Sequence, residues 1–136
     1  GPMMYTRITI ILRGAPRTKK NHGKVIRRGG RPIHVSSDAY QEWNASVQTQ
    51  LAVWRASQPG WKPIEEPVNV RALFFRHANV GDAVGFYQAL ADTLEEGRIV
   101  ENDRLIVQWD GSRLLKDAAD PRVIVTIEVL SCRDRC

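Results

Sequence analysis

Between Asn79 and Gly111 the chain carries an acidic constellation of the kind that phosphate chemistry uses. Asp82 stands in Asn79-Val80-Gly81-Asp82, Asp103 in Val100-Glu101-Asn102-Asp103-Arg104, and Asp110 in Trp109-Asp110-Gly111. Clustered carboxylates hold hard cations, and Mg2+ takes one or two of them while keeping places for water and phosphate oxygens. An ion so held orients water and offsets charge on phosphorus, which phosphodiester hydrolysis requires. A cationic side chain nearby adds to that stabilisation.

Two loops and one helix must position these groups. Ala83, Phe86, Tyr87, Leu90 and Leu94 recur at intervals of three and four, which predicts a helix with one apolar stripe. Asp82 precedes it as an N-cap and Gly97 follows as a stop. Fourteen or so helical residues span roughly 20 Å, so Asp82 and Asp103 meet only if the 97–104 loop turns back along the helix. Asp82 as a plain cap, and Asp103 as a strand opener paired with Arg98 or Arg104, are the structural alternatives. Asp92 reads as a solvated helix residue.

The 136 residues, 43% of them hydrophobic, suit a single domain with an ordinary core. Gly1-Pro2 ahead of Met3 has the look of a protease scar and is set aside, and 131–136 reads as a tail. No apolar run reaches the length of a membrane span and no signal peptide is visible, so the expectation is a protein of the cytoplasm, with no membrane partner. Cys132 and Cys136 fit a reducing compartment, and His22, His34 and His77 lack metal-ligand spacing.

The net charge of +5 is unevenly placed. Residues 1–37 hold nine basic residues and no acidic one, whereas the other 99 carry a net charge of −4. One end is suited to a polyanion and the other gathers carboxylates. The basic region, 13–35, contains a loop with Arg17, Lys19 and Lys20, then Lys24, Arg27 and Arg28, the pair Gly29-Gly30, and Arg31. Its pattern predicts a β-hairpin with a glycine turn and arginines at the tip, a clamp for phosphates. A solvated arm is the plainer alternative.

Elsewhere the pattern gives a strand over 7–12, a helix capped within Ser36-Ser37-Asp38 and running to about 55 along Tyr40, Trp43, Val47, Leu51 and Trp54, and strands over 68–75, 105–109 and 123–130. Trp43 and Trp54 fall on the apolar face and read as core or interface, while Trp61 caps the core or joins a dimer surface. The fold class is α+β, a mixed β-sheet with two helices packed on one face and a basic hairpin arm.

These residues resemble the RusA-type Holliday junction resolvases, small endodeoxyribonucleases of phages and prophages. Their helix carries D-x-D-N-x-x-K followed by D-x-L, and their next strand is entered by D-D-x-Q-V. Aligning Asp92-Thr93-Leu94 with D-x-L puts Asp82 on the first motif aspartate and Asp103 on the later catalytic one. Gly14-Ala15-Pro16-Arg17-Thr18-Lys19-Lys20-Asn21 is similar to the family's N-terminal loop, and the resemblance covers most of the chain. Val84, Gly85 and Gln88 stand where the motif has aspartate, asparagine and lysine.

The resemblance implies a RusA-like domain and a homodimeric, Mg2+-dependent (or Mn2+-dependent) endonuclease that cuts branched DNA in a bacterial or phage-infected cell. Asp82 and Asp103 are its implied catalytic and metal-binding residues. Asp110, or else Asp117, is the candidate third ligand, and Lys116, Lys19 or Lys20 the replacement for the cation lost at Gln88. Arg17, Lys19, Lys20, Lys24, Arg27, Arg28, Arg31 and Lys116 are the expected DNA contacts. The alternative is a RusA-like protein that recognises branched DNA without cutting it. A third reading, a single-strand or RNA-binding module, needs exposed tryptophans, which their helical phase opposes.

Overall fold

A computed structural model describes residues 6–19, 25–34 and 38–130, with only the backbone of 25–28 and 31–34. In chain order the elements are β1 (Arg7–Arg13), β2 (Val25–Arg28), β3 (Arg31–His34), α1 (Asp38–Ala56), β4 (Val68–Arg76), α2 (Ala83–Glu96), a 3-10 turn (Asp103–Leu105), β5 (Ile106–Gln108), β6 (Arg113–Lys116) and β7 (Arg122–Val129). The protein is α+β, with two helices and an open, mixed sheet of five strands.

Alternation builds the sheet. In β1, Ile8, Ile10 and Leu12 are buried while Arg7, Thr9, Ile11 and Arg13 are exposed, the two-residue period of a strand with one covered face. β7 pairs antiparallel with both β1 and β4, and contributes Val123, Val125 and Ile127 to the same buried layer. Val68, Val70, Ala72 and Phe74 of β4 complete it.

Against this layer lie Tyr40, Trp43, Val47 and Leu51 of α1 and Phe86, Ala89, Leu90 and Leu94 of α2, all in one core cluster. Fully burying side chains such as Leu51, Phe86 or Leu90 contributes about 1.5–3 kcal/mol each. The helices approach closely at Gly97, where a Cβ would stand 2.5 Å from Leu51 Cδ1. Beside it the buried Thr93 hydroxyl donates to Asn44 at 3.0 Å, and Gln48 donates to the Thr93 carbonyl at 3.1 Å.

The β2–β3 hairpin turns at Gly29 and Gly30, whose φ values of 58° and 79° suit the two-residue turn that matches strand twist. Trp43 is core, and Trp61 meets Trp54 edge to face at 4.7 Å while its indole donates to the Arg98 carbonyl. No helix among the described residues is long and apolar enough to cross a membrane.

Gly97 caps α2 as expected, and two other local expectations need correction. The cap has φ −77°, and the left-handed residue is Arg98 at φ 59°. Gly97 is there for room beside Leu51, not for backbone freedom. The strand expected over 105–109 begins as the 3-10 turn and runs only from Ile106 to Gln108. And 113–116, read as connection, is a strand: β6 pairs parallel with the second half of β4, as β5 does with the first. Together β5 and β6 form one interrupted edge lane.

Side chains from β4 and the lane itself repair the interruption. Asn69 accepts from the Asp110 N–H at 2.8 Å and donates to the Asp110 carbonyl at 3.2 Å. Ser112 accepts from the Ala72 N–H and donates to the Val70 carbonyl, filling ladder positions that the turn vacates. Gly111, at φ 83°, lies under the Arg71 side chain.

Candidate functional site

Because β4 and β5 are parallel, the helix joining them runs back along the sheet. The N-terminus of α2 therefore lies beyond the end of β4, whereas the residues entering β5 lie at the opposite end of α2. The expected return of the 97–104 loop to the helix N-terminus does not occur. Asp103 meets Asp92 and Glu95, and Asp92 is ten residues, about 15 Å, along α2 from Asp82. One chain does not bring Asp82 and Asp103 together.

At the N-terminal end, Asp82 has extended backbone angles and its Oδ1 accepts from the Gly85 N–H at 2.9 Å, an ordinary cap. Val84, at the second motif position, is 72% exposed, and Gln88 also faces solvent. Gly85 has a structural reason. A Cβ there would lie 2.5 Å from Asp82 Oδ1 and 3.1 Å from the Thr18 methyl. The basic loop thus rests on α2 through Thr18, which is 4% exposed.

One residue further on, Lys19 forms an ion pair with Asp92 and lies 5.3 Å from the centre of the Tyr40 ring. Burial alone would depress the Lys19 ammonium. The hydrogen bond to Asp92 and the charges of Tyr40, Asp92 and Glu96 outweigh it and hold the pKa above that of an ordinary lysine.

Asp103 shares this cluster. Its backbone N–H donates to Glu95 Oε1 at 2.9 Å, and the Asp92 carboxyl is near enough to act on its ionisation. Partial burial, then the negative charges of Glu95 and Asp92, push the Asp103 pKa up, against a smaller opposing effect of the Arg104 N–H. Two facing carboxyls beside an ammonium can share a proton or a cation.

The other expected ligands stand elsewhere. Asp110 is exposed in the turn between β5 and β6, and Asp117 follows β6, where its N–H donates to the Arg76 carbonyl. The Arg122 guanidinium, at 2.9 Å, holds the Asp117 carboxyl below the usual carboxylate range. Among the described residues no group of three or more His, Cys, Asp or Glu side chains is placed to hold a metal ion. A two-carboxylate arrangement is what the cluster offers, and it fits Mg2+ in its usual use of few protein ligands.

Of the expected DNA contacts, Arg17 lies 3.5 Å from His77 Nε2, and Lys19 is engaged by Asp92. Lys116 is exposed at the end of β6. Lys20 and Lys24 lie outside the described residues, as do the side chains of Arg27, Arg28 and Arg31, whose backbone forms the hairpin. Asp92 and Glu95 are the members that sequence reasoning missed. Their spacing from each other, one helical turn, was the available signal. Comparison with protein-family models finds no match, and comparison with curated proteins finds none either.

Proposed function

We propose that the chain is a RusA-like protein that binds branched DNA and cuts it using Mg2+, or Mn2+, held by Asp92 and Asp103. The observation that carries this reading is the placing of Asp103 near Asp92 and Lys19, where burial and then neighbouring negative charge oppose ionisation of Asp103. A divalent cation relieves that repulsion and, when bound, supplies Lewis-acid stabilisation of phosphate charge and a polarised water. Glu95 fixes the backbone at Asp103, and Lys19 sets a positive charge beside the pair. Asp82 serves as the helix cap rather than as a ligand in the same chain. A cytoplasmic homodimer suits the two-fold symmetry of a four-way junction.

A second reading, binding without cutting, is favoured by the solvent-facing Val84 and Gln88 at two motif positions. Cleavage of a synthetic four-way junction, with a linear duplex control and Mg2+, Mn2+ and EDTA lanes, separates the two. Asp103→Asn and Asp92→Asn are expected to lose about a hundredfold or more in rate, the scale of removing a group that stabilises transition-state charge. Asp82→Asn keeps a good cap and is expected to cut within a few-fold of the parent. Equal loss in Asp82→Asn would overturn the assignment to Asp92 and Asp103. Tight junction binding with no cutting in either metal would decide for the second reading.

A further inference from the structure

We propose that the groove between the 13–17 segment and the first half of α1 seats one nucleotide of a DNA strand, phosphate towards Arg17. This deepens the DNA-binding reading and rests on it. The groove has a volume of about 230 Å³, and its walls include Arg13, Gly14, Arg17, Glu42, Trp43 and Ser46. That is room for a phosphate with its attached nucleoside, not for a duplex.

Three observations point to an anion with a hydrogen-bonding group beside it. Arg17 offers five N–H donors, and its contact with His77 Nε2, at 3.5 Å, engages only one end of the guanidinium. Arg13 is already turned to Asp120, at 2.9 Å, so Arg17 is the available cation of the groove wall. The second observation is Trp43, 6% exposed, whose indole N–H is buried without an acceptor among the described residues. Its Cδ1, the carbon bonded to that nitrogen, lies 3.8 Å from where a Gly14 Cβ would be, beside the segment that forms the groove wall. Buried donors are rarely left unpaired, and this one marks a missing acceptor.

The third observation is Glu42, on the same helix face one turn before Ser46. A carboxylate there keeps the phosphate to the Arg17 end of the groove and accepts from a base amino group, as carboxylates do from cytosine N4. Gly14, at φ 113°, carries no side chain to close the space above Trp43.

Binding of a fluorescently labelled four-way junction, a single-stranded oligonucleotide, dCMP and inorganic phosphate tests the assignment. Ala39→Trp blocks the groove from an exposed helix position and Arg17→Ala removes the cation. Each is expected to weaken oligonucleotide binding about tenfold, the scale of one charge-assisted contact. The intrinsic fluorescence response to the oligonucleotide is expected to disappear in Trp43→Phe, which retains the packing. With circular dichroism unchanged, an Ala39→Trp protein that binds like the parent would overturn the groove while leaving DNA binding intact. A parent that binds no DNA at all would overturn both. Equal binding of dCMP and the oligonucleotide would replace the strand by a free nucleotide.

Discussion

The N-terminal end of α2 has Asp82, exposed and bonded to the Gly85 N–H, and its C-terminal end has Asp103, facing Asp92 and Glu95. The first carboxylate accepts from a free helix N–H, and the second is set where burial and carboxyl neighbours oppose its charge. The same side chain is therefore a helix cap at one end and a member of an acidic cluster at the other. The contrast follows from direction: a helix crossing between parallel strands sends the residues before and after it to opposite ends of the sheet.

The largest expected stability effect lies at the first end. Gly85→Asn places a Cβ against Asp82 Oδ1 and the Thr18 methyl. Overpacking of this kind costs about 1–3 kcal/mol. Urea unfolding should show that loss, and Thr18→Ser, by removing the obstructing methyl, should recover part of it. No loss in Gly85→Asn would mean that the loop does not rest on α2. Next comes the cap: Asp82→Ala is expected to cost about 1 kcal/mol, with Asp82→Asn close to neutral. If the asparagine variant lost as much as the alanine, the Asp82 charge, and not its hydrogen bond, would be what matters at this end.

Local chemistry made α2 legible. Its apolar stripe, the Asp82 cap and the Gly29-Gly30 turn all lie within a few residues of what they control. β6 was not legible, because Leu114-Leu115 has no alternation and the strand exists through pairing with Phe74 and Phe75, far back in the chain. The acidic cluster was hidden for the same reason. Asp92 looks solvated until Lys19 is folded across it and Asp103 brought up from the next loop. The resemblance pairs Asp82 with Asp103 along the sequence, but strand direction decides which groups face one another.

The smallest expected stability effect is at the second end, and its sign is opposite. The pKa of Asp103 is raised in the folded protein, so the native state binds that proton more tightly than the unfolded chain does. Stability is therefore lost as pH rises from the ordinary aspartate range through the raised value. Asp103→Asn removes the ionisation while keeping a group that can hydrogen-bond to Asp92. The variant should be more stable than the parent at pH 7, and the gain should shrink as pH falls and vanish once the unfolded aspartate is also protonated. Urea midpoints taken from pH 4 to 8 test this. Adding Mg2+ gives a second reading of the same repulsion, because an ion bound only by the folded state raises stability by mass action. That increment should appear in the parent and in Asp82→Asn but not in Asp103→Asn. A gain from Asp103→Asn that is constant across the pH range would mean that packing, and not charge, distinguishes the two ends of the helix.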